Sequence, residues 1–136
     1  ERGGEKVANR VEAGKRPRSS MAPMMVFNHQ GRLVYIIGSP GGSRIINYVA
    51  RTLVALIDWR MDIQQAVSLP LYMNRNGVTE IETGREMGAV AMTIESMGHD
   101  VKFTAFNSGL YGISIAEDGT LYGGADFRRE GIALGE

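Results

Sequence analysis

Apolar positions follow two rhythms along this chain, and the switches between them mark out its elements. Met24 to Phe27 is a short apolar run, Asn28 to Gly31 is turn chemistry, and Leu33 to Ile37 is continuous, apolar and partly β-branched. This pattern predicts a hairpin whose second strand is buried on both faces. Gly38-Ser39-Pro40-Gly41-Gly42-Ser43 breaks the strand, and Ile45, Ile46, Val49, Leu53, Leu56 and Ile57 then recur at helical spacing. Ser43 is placed to cap that helix through its hydroxyl. A second helix is expected from Asp62, with Gln65 completing a capping box and the stop falling before Pro70.

Leu71-Tyr72-Met73 and Thr79 to Glu82 read as short strands around an Asn74–Gly77 turn. Thr83 and Glu86 form another capping-box pair. Met87, Val90, Ala91, Ile94 and Met97 then line one helical face, and Gly98 sits where a C-terminal stop belongs. Val101, Phe103 and Ala105 alternate, as do Tyr111, Ile113 and Ile115, and Asp118-Gly119 marks a hairpin before Leu121. The order β-β-α-α-(β)-α-β-β-β is a mixed α/β layering with helices packed on sheet. Residues 1–18 are charged and lack a hydrophobic period, so they read as a flexible or loop-like arm ahead of one domain over 19–136.

Composition narrows the chemistry. An apolar fraction of 43% supports a packed core. Fifteen basic and fifteen acidic side chains cancel, so nothing favours nucleic acid, which asks for a basic surface, and no nucleic-acid partner is expected. No apolar run approaches the ~18 residues of a membrane span. The absence of cysteine excludes disulfides, thiolate metal sites and a cysteine nucleophile. His29 and His99 are the only histidines, so a histidine zinc site or a serine–histidine triad is poorly supplied. Neither takes a role, and no metal or cofactor is expected. The chain opens on Glu1 without a signal-like segment and reads as an excerpt or a processed product.

Three stretches carry candidate chemistry. The first is Gly38 to Ser43, between a strand and a helix start. A helix N-terminus presents unpaired N–H groups, and Gly41 and Gly42 have no Cβ to block approach, as an oxyanion hole or anion site requires. On local features alone, a plain strand-to-helix turn comes first. A phosphate loop is weakened by the missing lysine. The second is Pro17 to Pro23, where Ser19 and Ser20 could hold a carboxylate; alone, it is an ordinary turn. The third is Asp126 to Glu130, which could bind an acidic ligand or lock a neighbouring segment, but reads first as a solvated charged stretch.

Taken together, Gly14 to Pro23, Gly38-Ser-Pro-Gly-Gly-Ser-Arg-Ile-Ile46, Asp62 to Val67 and Gly119 to Gly131 resemble the C-terminal part of the γ-glutamyltransferase small subunit, from about Ala8 onward. The resemblance implies part of an αββα N-terminal-nucleophile hydrolase sandwich within a larger, autoprocessed enzyme. Such enzymes take a γ-glutamyl group from glutathione or a similar amide and pass it to an amino acid, a peptide or water. Ser19 and Ser20 match the pair that holds the glutamyl α-carboxylate, and Gly41 and Gly42 match the pair that offers N–H groups to the oxyanion. The nucleophilic threonine is expected upstream of Ser19, outside this sequence, and the arginine that grips the carboxylate in the large subunit. This chain alone is therefore expected to be inactive and to self-associate through uncovered apolar surface. Met24-Met25 and Phe127 depart from the family pattern, which often has a Thr with an aliphatic residue, and a proline. A β-lactam acylase branch and a non-catalytic stand-alone module are the alternatives. The resemblance also implies a periplasmic or extracellular location.

Overall fold

The computed structural model describes residues 3–135. Seven strands and three α-helices follow the expected order. They are β1 (Met24–Phe27), β2 (Leu33–Gly38), α1 (Ile45–Ile57), α2 (Ile63–Ser68), β3 (Tyr72–Asn74), β4 (Thr79–Glu82), α3 (Gly88–Ser96), β5 (Val101–Thr104), β6 (Tyr111–Ile115) and β7 (Leu121–Ala125). One sheet runs β1-β2-β6-β7, antiparallel throughout, and the other runs β3-β4-β5 with β4 and β5 parallel.

The four-stranded sheet carries α1 and α2 on one face only. Ile37 of β2 packs with Ile45, Tyr48, Val49 and Leu56 of α1 and with Ile63, Ala66 and Val67 of α2. Gly112 and Gly124 let α2 sit close, because a Cβ on Gly112 would collide with Ile63 Cδ1 and one on Gly124 would come 2.9 Å from the Ile63 carbonyl oxygen. The side chains alternate across the sheet, so Met25, Ile36 and Ile113 point to the opposite face. That face is open: Met25 and Leu121 are each 64% exposed. The expectation that β2 is buried on both faces is thus corrected. Only Ile37 is fully buried in β2, because nothing among the described residues covers the second face beyond the terminal segment, where Ala133 lies against Gly123.

The capping box of α2 is present, with the Asp62 carboxylate accepting from the Gln65 N–H and the Gln65 side chain answering. Gly98 follows α3 with φ 89°, as its stop requires. Two other caps differ from expectation. A 3-10 turn over Gly42–Arg44 precedes α1, and Ser43 does not cap it; the Ser43 hydroxyl instead accepts from Arg75 Nη1 at 2.8 Å. Thr83 does not cap α3, which starts only at Gly88. The Thr83 N–H donates to the Thr104 carbonyl at 3.0 Å, which keeps it within the β4–β5 pairing. Helix α3 packs Met87 and Ala91 against Ile81, whereas Val90 and Met97 are exposed. Residues 3–18 are irregular and, apart from half-buried Arg10, exposed, with Glu12 paired to Arg10 and Lys15.

Candidate active site

Antiparallel pairing gathers four segments at one end of the large sheet. Met24 opens β1 opposite Ile37, near the close of β2, and Gly38 pairs with Tyr111, where β6 begins. Tyr111 in turn pairs with Ala125, where β7 ends. The serine pair before β1, the glycine loop after β2, the Asn107–Leu110 segment before β6 and the Asp126–Arg129 segment after β7 therefore leave from the same end.

The two glycines of the loop meet different demands. Gly41 has φ 141°, and a Cβ there would lie 2.7 Å from Tyr48 Cε2, so it closes the loop onto the core. Gly42 has φ 60°, and a Cβ there would meet nothing within 4 Å, so the space before it is open. Both backbones lie where L side chains are strained. Neither the Gly41 nor the Gly42 N–H has an acceptor among the described residues. The loop's own backbone bonds are few: Arg44 N–H to the Gly41 carbonyl at 3.3 Å, Ile45 N–H to the Gly42 carbonyl, and the Ser39 hydroxyl to the Pro40 carbonyl at 2.7 Å. Beneath it, Tyr48 meets Phe106 edge-on at 6.3 Å, and the Arg44 guanidinium lies 5.3 Å over the Phe106 ring. Burial raises the Tyr48 phenol pKa, an effect that the Arg44 charge partly opposes. Arg44 also forks onto Glu80 at 3.1 and 2.9 Å.

Ser19 is exposed and its hydroxyl accepts from the Met21 N–H at 3.3 Å; Ser20 is half-buried. No hydrogen bond joins either serine to Gly41 or Gly42 among the described residues, so their shared sheet end is what relates the two motifs.

Behind the loop lies a buried ionic network, which corrects the first reading of Asp126 to Glu130 as a solvated stretch at Asp126 and Arg128, while Arg129 and Glu130 are exposed as expected. The Asp126 side chain is 0% and that of Arg128 3% exposed. Arg128 Nε and Nη2 fork onto Glu82 at 2.5 and 2.7 Å, Nη1 reaches Asp126 Oδ1 at 3.0 Å, and Nη2 also donates to the Leu69 carbonyl. Asp126 Oδ2 accepts from the Ser108 hydroxyl and from the Leu110 N–H. Burial alone would lower the Arg128 pKa, but its bonds to Glu82 and the charges of both carboxylates raise it. Arg51 also lies in their field and donates to the Pro70 carbonyl at 2.8 Å. Burial is the main reason its pKa falls to about 10. Glu82 and Ser108 carried no signal in the sequence, since Glu82 and Arg128 stand 46 positions apart. Phe127, by contrast, is exposed and lies against the guanidinium groups of Arg85 and Arg128 at 5.1 and 4.5 Å.

No group of three or more potential metal-binding His, Cys, Asp or Glu residues occurs among the described residues. No helix among them is long and apolar enough to cross a membrane.

The family model for gamma-glutamyltranspeptidase matches residues 3–136. The Acylase ACY 1 proenzyme of Pseudomonas sp. (strain SE83) is 38% identical over 125 residues, 91% of this chain and 22% of its own length. The glutathione hydrolase proenzyme of Bacillus subtilis (strain 168) is 36% identical over 131 residues, 94% of this chain and 22% of its own length. The chain thus spans about a fifth of these curated relatives. A Helicobacter pylori gamma-glutamyltranspeptidase structure superposes with a TM-score of 0.81 at 32% identity, over 92% of this chain and 69% of that one. The expected fold, part of an N-terminal-nucleophile hydrolase sandwich, is therefore borne out, and the chain belongs to the gamma-glutamyltranspeptidase family.

Proposed function

We propose that this chain supplies two subsites of a γ-glutamyl acyl-transfer or hydrolysis reaction. The observation that carries the reading is the pair of unpartnered N–H groups at Gly41 and Gly42, with open space before Gly42. Donors fixed in advance stabilise charge that develops on a carbonyl oxygen in the transition state. In this reading, Gly41 and Gly42 form the oxyanion hole, and Ser19 and Ser20 hold the substrate α-carboxylate from the same end of the sheet. The α-carboxylate is remote from the reacting bond, so the serines serve chiefly binding and orientation.

The nucleophile comes from elsewhere in a longer protein, as an N-terminal threonine of the small subunit. The open face of the large sheet, with Met25, Ile113 and Leu121, is where the remainder of the enzyme packs. The 136-residue chain alone is inactive. Burst release of chromophore from a γ-glutamyl anilide by the purified chain would contradict this. We place the intact enzyme in the periplasm or outside the cell, as the family resemblance implies.

The experiment is kinetic and uses the full-length protein with a γ-glutamyl substrate and an analogue lacking its α-carboxylate. Ser19→Ala and Ser20→Ala should raise KM for the first and matter little for the second. An equal penalty on both substrates would remove the carboxylate role. A second reading, acylase activity on a β-lactam side chain, is favoured by the 38% identity to an acylase proenzyme. Faster turnover of such an acyl substrate than of the γ-glutamyl amide would select it.

A further inference from the structure

The Asn107–Leu110 segment connects the three-stranded sheet to β6 and passes against the glycine loop. A Cβ added at Gly109 would lie 2.9 Å from Pro40 Cγ, 3.2 Å from Pro40 Cδ and 2.9 Å from Arg129 Cδ. Gly109 is not among the glycines with positive φ. It is therefore glycine for closeness of approach, not for backbone conformation. The rest of the segment is tied to the stretch after β7. Arg129 Nε donates to Asn107 Oδ1 at 2.8 Å, and its Nη2 donates to the Asn107 carbonyl at 3.0 Å. The Ser108 hydroxyl and the Leu110 N–H both donate to Asp126 Oδ2, and the Asp126 N–H returns a bond to the Leu110 carbonyl at 2.9 Å. Asp126 is held in turn by Arg128, and Arg128 by Glu82.

Pro40 immediately precedes Gly41. On one side the loop closes on Tyr48 through Gly41, and on the other it meets Gly109 through Pro40. The Gly42–Ser43 half of the loop is held by Ile45 N–H and Arg75, whereas the Pro40–Gly41 half has few hydrogen bonds and takes its position from these two contacts. We propose that Asn107–Leu110 is a strap that fixes the glycine loop from behind, with Gly109 and Asp126 as positioning residues for the Gly41 and Gly42 N–H groups. This rests on the oxyanion reading above. A donor misplaced by about 1 Å can cost on the order of 10²-fold in rate, so a small displacement of Pro40 has a kinetic consequence.

The test is Gly109→Ala in the full-length protein, with kcat referred to titrated active sites and a γ-glutamyl anilide as substrate. The expected result is a fall in kcat of about tenfold or more, with KM changed by less than about twofold. Adding Pro40→Ala to Gly109→Ala removes the ring that the new methyl meets, and should recover part of the lost kcat. Tm is read on both variants, because a purely structural role would move Tm and leave kcat per titrated site unchanged. A Gly109→Ala protein that folds and keeps wild-type kcat overturns the proposal, as does a loss unrelieved by Pro40→Ala. If Gly109→Ala does not fold, Asn107→Ala decides instead, because it removes an anchor without adding bulk. Lowered kcat with an unchanged Tm supports the strap, and unchanged kcat overturns it. Gly42→Val is measured alongside. Slow turnover there with a normal Gly109→Ala removes the strap alone, whereas normal turnover in Gly42→Val removes the oxyanion reading and the strap's role with it.

Discussion

The two ends of the four-stranded sheet are built on opposite plans. At one end, the β1–β2 and β6–β7 turns satisfy themselves. Asn28 Oδ1 accepts from the Gln30 and Arg32 N–H groups, both at 3.0 Å, and Asp118 Oδ1 accepts from the Thr120 N–H at 2.9 Å. Every one of these partners lies within four positions. At the other end, the loop after β2 leaves two N–H groups without an acceptor, and the segments around it are tied by buried charges far apart in sequence. Local turns can be altered at local cost. The second end combines long-range anchoring with unused donors, and unused donors are what a reacting group needs.

The largest expected effect breaks the anchored end. Arg128→Met leaves the buried Glu82 and Asp126 carboxylates without their partner, and loss of one member of a buried pair costs about 3–5 kcal/mol. The unfolding midpoint in urea should fall accordingly; a midpoint equal to wild type would mean that the network anchors nothing.

A second effect concerns the open sheet face. Uncovered apolar surface drives association, so the isolated chain should form dimers or larger species. Light scattering that returns a monomeric mass at high micromolar concentration would count against this.

The smallest effect belongs to the self-contained end. The Thr120 N–H holds the Asp118 pKa below its ordinary value. The carboxylate's contribution to the turn is therefore complete above the ordinary aspartate pKa and is lost as pH falls through the lowered one. Asp118 is fully exposed, so the consequence should stay local. Amide shifts followed by NMR across this range should move at Thr120 and leave Gly41 and Gly42 unchanged.

This division also governs what the sequence made legible. The hairpins, the Asp62–Gln65 box and the Gly98 stop depend on neighbours a few positions apart, and all were readable. The glycine loop was readable as a place, because strand, glycines and helix follow in order. Its neighbours were less so. Ser43 failed as a cap because Gly42–Arg44 turns more tightly than an α-helix and Arg75 takes its hydroxyl. Thr83 failed because its backbone stays paired with Thr104 and α3 starts only at Gly88, too far on for its hydroxyl to cap. Asp126 and Arg128 looked solvated because Glu82 and Ser108, which bury them, leave no trace in spacing. Gly109 showed nothing that would set it apart from an ordinary loop glycine.

The most direct test compares one glycine from each end in the full-length protein. Gly42 and Gly119 both have positive φ, at 60° and 88°, and a Cβ at either meets nothing within 4 Å. A valine therefore brings similar backbone strain and no first-atom clash at both positions. With kcat measured per titrated active site on a γ-glutamyl anilide, Gly42→Val keeps the N–H but displaces and obstructs it, and should lose roughly 10²–10³-fold, the scale for one lost oxyanion donor. Gly119→Val should keep kcat within about twofold, while its β6–β7 turn loses stability. Equal kcat in two folded variants would contradict the account, because the glycine loop would then be a turn like any other.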